Sequence, residues 1–289
     1  MDVCRRFKGF LLRGSVFASS ILTGDSPVDA RGLGLEFMDY REYVFGDDIR
    51  HVDWRISARA SEDLERLFVR VYRSERFLEL VWAVDLTASM FFKDKPDILG
   101  FLVGIFGSLS HKLRDKVDLV LVKSDVKVFP GLDGWVAANR VLEAVCSNGF
   151  AGRGGVGSAT GIIGRVSRNK SVVFLTDYAE KVEAFKRLAR TVWAANGFPG
   201  FFFIATPGEM GKFVPKGVVP VGFGDRQEVV DLEKWARKVR EHVVRVRASV
   251  GLYNFFQLFS LEEAFSRRLD IALRYMAVRS RQLMPAAVV

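Results

Sequence analysis

Three apolar runs limit what this chain can fold into: FLELVWAVD from Phe77, SVVFLTD from Ser171 and GFFFIATP from Gly200. Each is nearly continuous in Val, Leu, Phe and Ile instead of alternating with polar residues, which is the pattern of a strand covered on both faces. Between and after them lie stretches of helical length and period: ILGFLVGIFGSLSHKL, WVAANRVLEAVC, KVEAFKRLARTVWAAN and DLEKWARKVREHVVRVR. VDLVLVKSD, VVPVGFG and LYNFFQLF read as further strands, and LEEAFSRRLDIALRYMAVRSR as a terminal helix. Strands alternating with helices in this way predict an α/β fold, a mostly parallel central sheet with helices on both faces, over residues 77–289. Residues 1–76 lack the alternation. They are rich in Arg and Asp, turn at TGDSP and FGDD, and carry the strand-like RLFVRVYRSE, so a smaller β-rich N-terminal region is expected there.

With 289 residues, 49% of them hydrophobic, the chain can bury a large core. ILGFLVGIFGSLS is shorter than the roughly 20 residues of a membrane span, and Arg13 interrupts the apolar N-terminal stretch, so neither a span nor a cleaved leader is expected. Cys4 and Cys146 lie far apart in sequence and suggest neither a disulfide framework nor a zinc site; a reducing cytoplasm is the expected setting. Asn and Gln are scarce beside Lys, Arg and Glu, a lean toward a heat-adapted source. The net charge of +9 has its densest cluster in RKVREHVVRVR, where a solvated helix face is expected in preference to a nucleic-acid surface, because no recognisable nucleic-acid module accompanies it.

Ligands of such sheets gather at the carboxyl ends of the strands, where loops converge. Three polar loops fall there: DLTAS after the first strand, GGVGSAT in mid-chain and TDYAE after SVVFL. Asp85, Thr87 and Ser89 stand on alternate positions and can aim three oxygens at one point. Hard divalent cations take oxygen ligands, and Mg²⁺ needs only one or two carboxylates beside water. The plainer reading is that the hydroxyls cap the next helix and Asp85 ties down its loop.

The segment GLGLEFMDYREYVFGDDIRHVDWRISAR, residues 32–59, resembles the signature of the domain of unknown function 58 family. The matching positions are Gly32, Gly34, Glu36, Phe37, Arg41, Tyr43, Gly46, Asp47, Asp48, Arg50, Asp53, Trp54, Ala58 and Arg59. The chain beyond resembles that family's von Willebrand factor A-like domain, including the later Pro207 to Glu209, in its shorter form without transmembrane segments. The resemblance implies a metal-ion-dependent adhesion site (MIDAS). Its ion, Mg²⁺ or else Mn²⁺ or Ca²⁺, would be bound by Asp85, Thr87, Ser89 and Asp177. Val156 stands where the family's middle Thr falls, so Ser158 or Thr160 has to supply that oxygen. It also implies a MoxR-type AAA+ ATPase as partner.

Read without the family, Asp47, Asp48 and Asp53 interleaved with Arg41, Arg50, Arg55 and Arg59 make an ion-pair lattice sealed by Trp54, structural or partner-docking, with His51 structural. The chain has no Gly-x-x-x-x-Gly-Lys-Ser/Thr loop and so no ATPase centre of that kind. Two functions compete. One is a non-enzymatic, metal-dependent binding module that docks an acidic protein ligand and serves the ATPase as adaptor or co-chaperone. The alternative is a Mg²⁺-dependent phosphoesterase or nuclease using Asp85 and Asp177, which Asp39, Asp47 and Asp48 would have to supplement.

Overall fold

The computed structural model describes residues 2–23, 39–43, 52, 57, 67–71, 78–152, 154–207, 209, 218–223 and 226–281. The chain forms two compact units: Met1–Ser20 with Phe77–Val289, and Ile21–Arg76. In the second, β1 (Asp39–Glu42) pairs antiparallel with β2 (Phe68–Val71). Asp47, Asp48, Arg50, Asp53, Trp54, Arg55 and Arg59, and the side chain of Arg41, which together make up the expected ion-pair lattice, lie outside the described residues.

The first unit is built on a six-stranded sheet. β3 (Glu79–Asp85) is central, with β4 (Lys116–Val122) and β5 (Val126–Asp133) on one side and β6 (Ser171–Thr176), β7 (Phe198–Ile204) and β10 (Phe255–Leu258) on the other. All neighbours run parallel except β4 and β5. The expected α/β class is therefore observed, with one antiparallel edge strand that VKVFPGLD did not announce. VVPVGFG departs from the alternation: β8 (Val218–Phe223) joins β9 (Arg226–Asp231) in a separate antiparallel hairpin.

Successive strand residues point to opposite faces. On one face Val81, Ala83, Phe174, Phe201 and Phe203 pack with Ile163 of α4 (Thr160–Val166), Phe185 and Leu188 of α5 (Val182–Ala194), and Val246 of α6 (Leu232–Val250). On the other, Trp82 meets Phe106 of α2 (Lys95–Lys112) and Tyr275 of α8 (Arg268–Ser280), ring to ring at 6.3 Å each. Nearly all of α2 is buried, as a helix apolar on every side must be. α3 (Gly134–Asn148) packs against it, and the short α7 (Leu261–Ser266) precedes α8. No helix among the described residues is long and apolar enough to cross a membrane.

The first residues differ from the β-rich expectation. Val3–Thr23 form a helix, α1, and its first part belongs with the sheet unit. Phe7, Leu11 and Ala18 are buried, Arg6 is paired with Asp97, and Ser19 Oγ lies 3.2 Å from Ser108 Oγ. This docking brings Cys4 beside Cys146 near the end of α3, and the two form a disulfide with Cα atoms 4.6 Å apart. The reading of two unrelated thiols is thereby corrected: tertiary packing, not sequence spacing, pairs them. A bridge closing so long a loop restricts the unfolded chain strongly. Cys146→Ser is expected to lower unfolding free energy by about 2–4 kcal/mol, and dithiothreitol should lower the wild type to the same level in chemical denaturation. Insensitivity of the wild type to reductant would contradict it.

Candidate functional site at the carboxyl edge

β3 and β6 are parallel neighbours, with Val84 opposite Leu175, so their carboxyl ends deliver Asp85 and Asp177 to the same edge. Asp85 is 1% exposed. Its Oδ1 accepts from the Thr87 amide at 2.9 Å and the Thr87 hydroxyl at 2.6 Å, and its Oδ2 from the Thr176 hydroxyl at 2.8 Å. A 3₁₀ turn, Ala88–Phe91, begins just beyond and sets Ser89 Oγ 3.3 Å from Thr87 Oγ1. Within the first loop Thr87 is the link: its hydroxyl is bonded to Asp85 and lies within reach of Ser89.

Asp177, also buried, accepts from the Ala179 amide at 2.9 Å through Oδ1. Its Oδ2 takes the ammonium of Lys95 at 2.8 Å, and Lys95 Nζ further donates to the Ser89 carbonyl at 3.1 Å and pairs with Glu209 Oε1 at 2.5 Å. The mid-chain loop contributes differently from expectation. Val156 is fully buried in the core with Val81 and Val120, while the Ser158 and Thr160 hydroxyls donate to the Gly155 and Gly157 carbonyls at 2.8 and 2.6 Å. They close the turn that opens α4 and are not brought to Asp85 by any described contact. Instead the loop offers the Gly157 amide to Glu180 Oε2 at 2.8 Å, and a β-carbon at Gly155 would stand 3.1 Å from Asp85 Oδ2. Glycine there lets the backbone close over both carboxylates.

Lys95 was not singled out from sequence; Thr176 and Glu180 entered only as members of the TDYAE loop, and Glu209 only as the end of the family's Pro207–Glu209 stretch, none with a role at the site. Lys95 did leave a signal: it stands at the first position of α2, followed by Pro96, where the positive end of the helix disfavours a cation unless carboxylates hold it. Burial, and then the charge of Asp177, push the Asp85 carboxyl up to about 6 against the pull of its hydrogen bonds. Burial raises Glu180 as well, assisted by Asp177.

A hard cation beside Asp85 would relieve this accumulation of negative charge, and the donors present, carboxylate and hydroxyl oxygens, suit Mg²⁺, Mn²⁺ or Ca²⁺. Among the described residues no three His, Cys, Asp or Glu side chains converge to hold a metal, so hydroxyls and water would complete the coordination. A carboxyl raised in the folded state from the ordinary 3.8 costs stability above pH 6, a cost that fades as the pH falls through 6 toward 4. Asp85→Asn keeps an acceptor for Thr87 but no charge. In chelator at pH 7.5 it is expected to be the more stable protein by about 3 kcal/mol, the gap narrowing as pH falls. Equal pH profiles in thermal denaturation would count against that account.

The chain is similar to a solved structure described as conserved hypothetical protein BatB from Bacteroides thetaiotaomicron, with 15% identity and a TM-score of 0.42 over 70% of this chain and 98% of that one. No curated protein matches it. The family model described as protein of unknown function DUF58 matches residues 39–196, more than half of the chain, and the chain belongs to that family.

Proposed function

We propose that the chain is a protein-binding module of the von Willebrand factor A-like type, an adaptor or co-chaperone of a MoxR-type AAA+ ATPase, whose Asp85 loop docks an acidic residue of its partner. One juxtaposition carries this reading. Asp85, Thr87, Ser89 and Asp177 gather on the carboxyl edge, and just past Ser89 the side chains of Phe91 and Phe92 are 54% and 48% exposed. Exposed aromatics beside a polar centre are what a partner can desolvate for affinity while the polar groups fix its orientation. A divalent ion held by Asp85, Thr87, Ser89 and Asp177 would supply the positive charge that draws in a carboxylate. Phe91 lies 6.0 Å, ring to ring, from Phe150, so the aromatic tip is braced.

The outer face of α6 supports solvation over nucleic-acid binding: Ala236, Val243 and Val246 point inward, and its Lys and Arg residues are interspersed with Glu241 and Val244 on the exposed side. The Cys4–Cys146 bridge fits a cytoplasmic setting in a heat-adapted source, because intracellular proteins of hyperthermophiles are disulfide-rich.

Interferometry with a cognate MoxR-type ATPase, in Mg²⁺ and then in chelator, tests the proposal. Micromolar binding is expected in Mg²⁺, weakened about tenfold by Phe91→Ala with Phe92→Ala and by chelator. Absence of binding at those concentrations would overturn the partner. Mg²⁺-dependent cleavage of phosphoesters or nucleic acid, lost in Asp85→Ala, would replace the module with a hydrolase.

A further inference from the structure

Lys95 is 1% exposed, yet its ammonium reaches three separate loops of the carboxyl edge. It contacts the Ser89 carbonyl after β3, Asp177 Oδ2 after β6 and Glu209 Oε1 beyond β7. Two of these residues, Ser89 and Asp177, belong to the set that would hold a divalent ion. One of the two oxygens of Asp177 is committed to the ammonium, and a second cation brought to the same carboxylates would meet the repulsion of the first at close range.

We propose that Lys95 is a built-in competitor for the divalent ion: its ammonium clasps the three loops when the ion is absent, and an ion takes Asp177 only as Lys95 lets go. The inference rests on the reading that the Asp85 loop accepts a divalent cation. The clasp has a releasable arm and a place for the lysine to go. Glu209 is anchored to its own turn, with Oε2 accepting from the Thr206 amide at 2.9 Å and hydroxyl at 3.0 Å, while its side chain is 33% exposed. A cavity of about 280 Å³, lined by Lys95, Asp177, Glu209, Trp235 and Lys238 among others, adjoins the ammonium, so its flexible stem can swing without breaching the core.

Because Lys95 joins Asp177 to Glu209, occupancy of Asp177 by the ion and the Lys95 tie from Asp177 to the Thr206–Glu209 turn exclude each other. Binding at the Asp85 loop is thereby coupled to the wall of a cavity next to it, and the coupling acts in both directions.

Mn²⁺ titration of the full chain, followed by electron paramagnetic resonance and calorimetry, compares wild type, Lys95→Met and Glu209→Gln. Lys95→Met is expected to bind Mn²⁺ about tenfold tighter or more than wild type, with Glu209→Gln between them, and Mn²⁺ should raise the melting temperature of Lys95→Met more than that of wild type. Equal or weaker binding by both variants overturns the competition and leaves the ion site standing. No Mn²⁺ binding by any of the three at millimolar concentration overturns both. Should Lys95→Met fail to fold without the ion, the partly exposed Glu209→Gln decides by the same comparison with wild type.

Discussion

Gly104→Leu is expected to detach α1 from α2 and to cost upwards of about 4 kcal/mol, the range reserved for failures of core packing. A β-carbon at Gly104 would fall 2.8 Å from the Leu11 carbonyl carbon and inside contact range of its oxygen. One at Gly14, across the same crossing, would stand 3.0 Å from the Ile105 amide nitrogen. Backbone thus lies on backbone, and neither side has a rotamer with which to yield. Gly9, exposed on the same helix with nothing within 4 Å of its would-be β-carbon, is the control: Gly9→Ala should stabilise by about 0.5–1 kcal/mol through helix propensity alone. Urea denaturation measures both. A loss under about 1 kcal/mol for Gly104→Leu would mean that the helices separate cheaply and that the crossing is not a determinant of the fold.

Arg279→Met is expected to cost about 3–5 kcal/mol, because it strands a charge that burial already opposes. Asp115 is 1% exposed, and Arg279 grips it with two hydrogen bonds, from Nε at 2.6 Å and from a terminal nitrogen at 2.8 Å, while the Leu78 amide donates at 3.1 Å. Burial pushes the Asp115 carboxyl up even against that guanidinium. The pair anchors the last turn of α8 beside the entry to β4. Adding Asp115→Asn to Arg279→Met removes the stranded charge and should recover a large part of the loss, which a double-mutant cycle reads directly. If the single and double variants are equally unstable, lost packing of the arginine stem explains the cost and the charge does not.

The sheet was legible because β3, β6 and β7 are almost wholly buried, and a strand covered on both faces can be written in few ways. β5 was not, since an edge strand with one wet face and a proline, Pro130, carries little pattern. α1 was hidden by Arg5, Arg6 and Arg13, which break its apolar content although Phe7, Leu11, Gly14 and Ala18 keep a helical spacing. The Cys4–Cys146 bridge could not be read at all, because only the docking of α1 makes the two neighbours. At the site, Asp85, Thr87 and Ser89 were legible as one local motif, and Asp177 came through the family resemblance. Lys95 was obscured because its three partners come from loops after three different strands, and only the parallel order of those strands unites them.

The place of the second unit in the chain has its own consequence. Ile21–Arg76 leaves the first unit after Ser20 and returns to it at Phe77, while Cys4, upstream of the departure, is bonded to Cys146, downstream of the return. The smaller unit is therefore one stretch of a covalently closed ring of chain, not a bead on a string. A single proteolytic nick anywhere within it opens the ring but releases no piece, so the product migrates as one molecule until a reductant is added and as two afterwards.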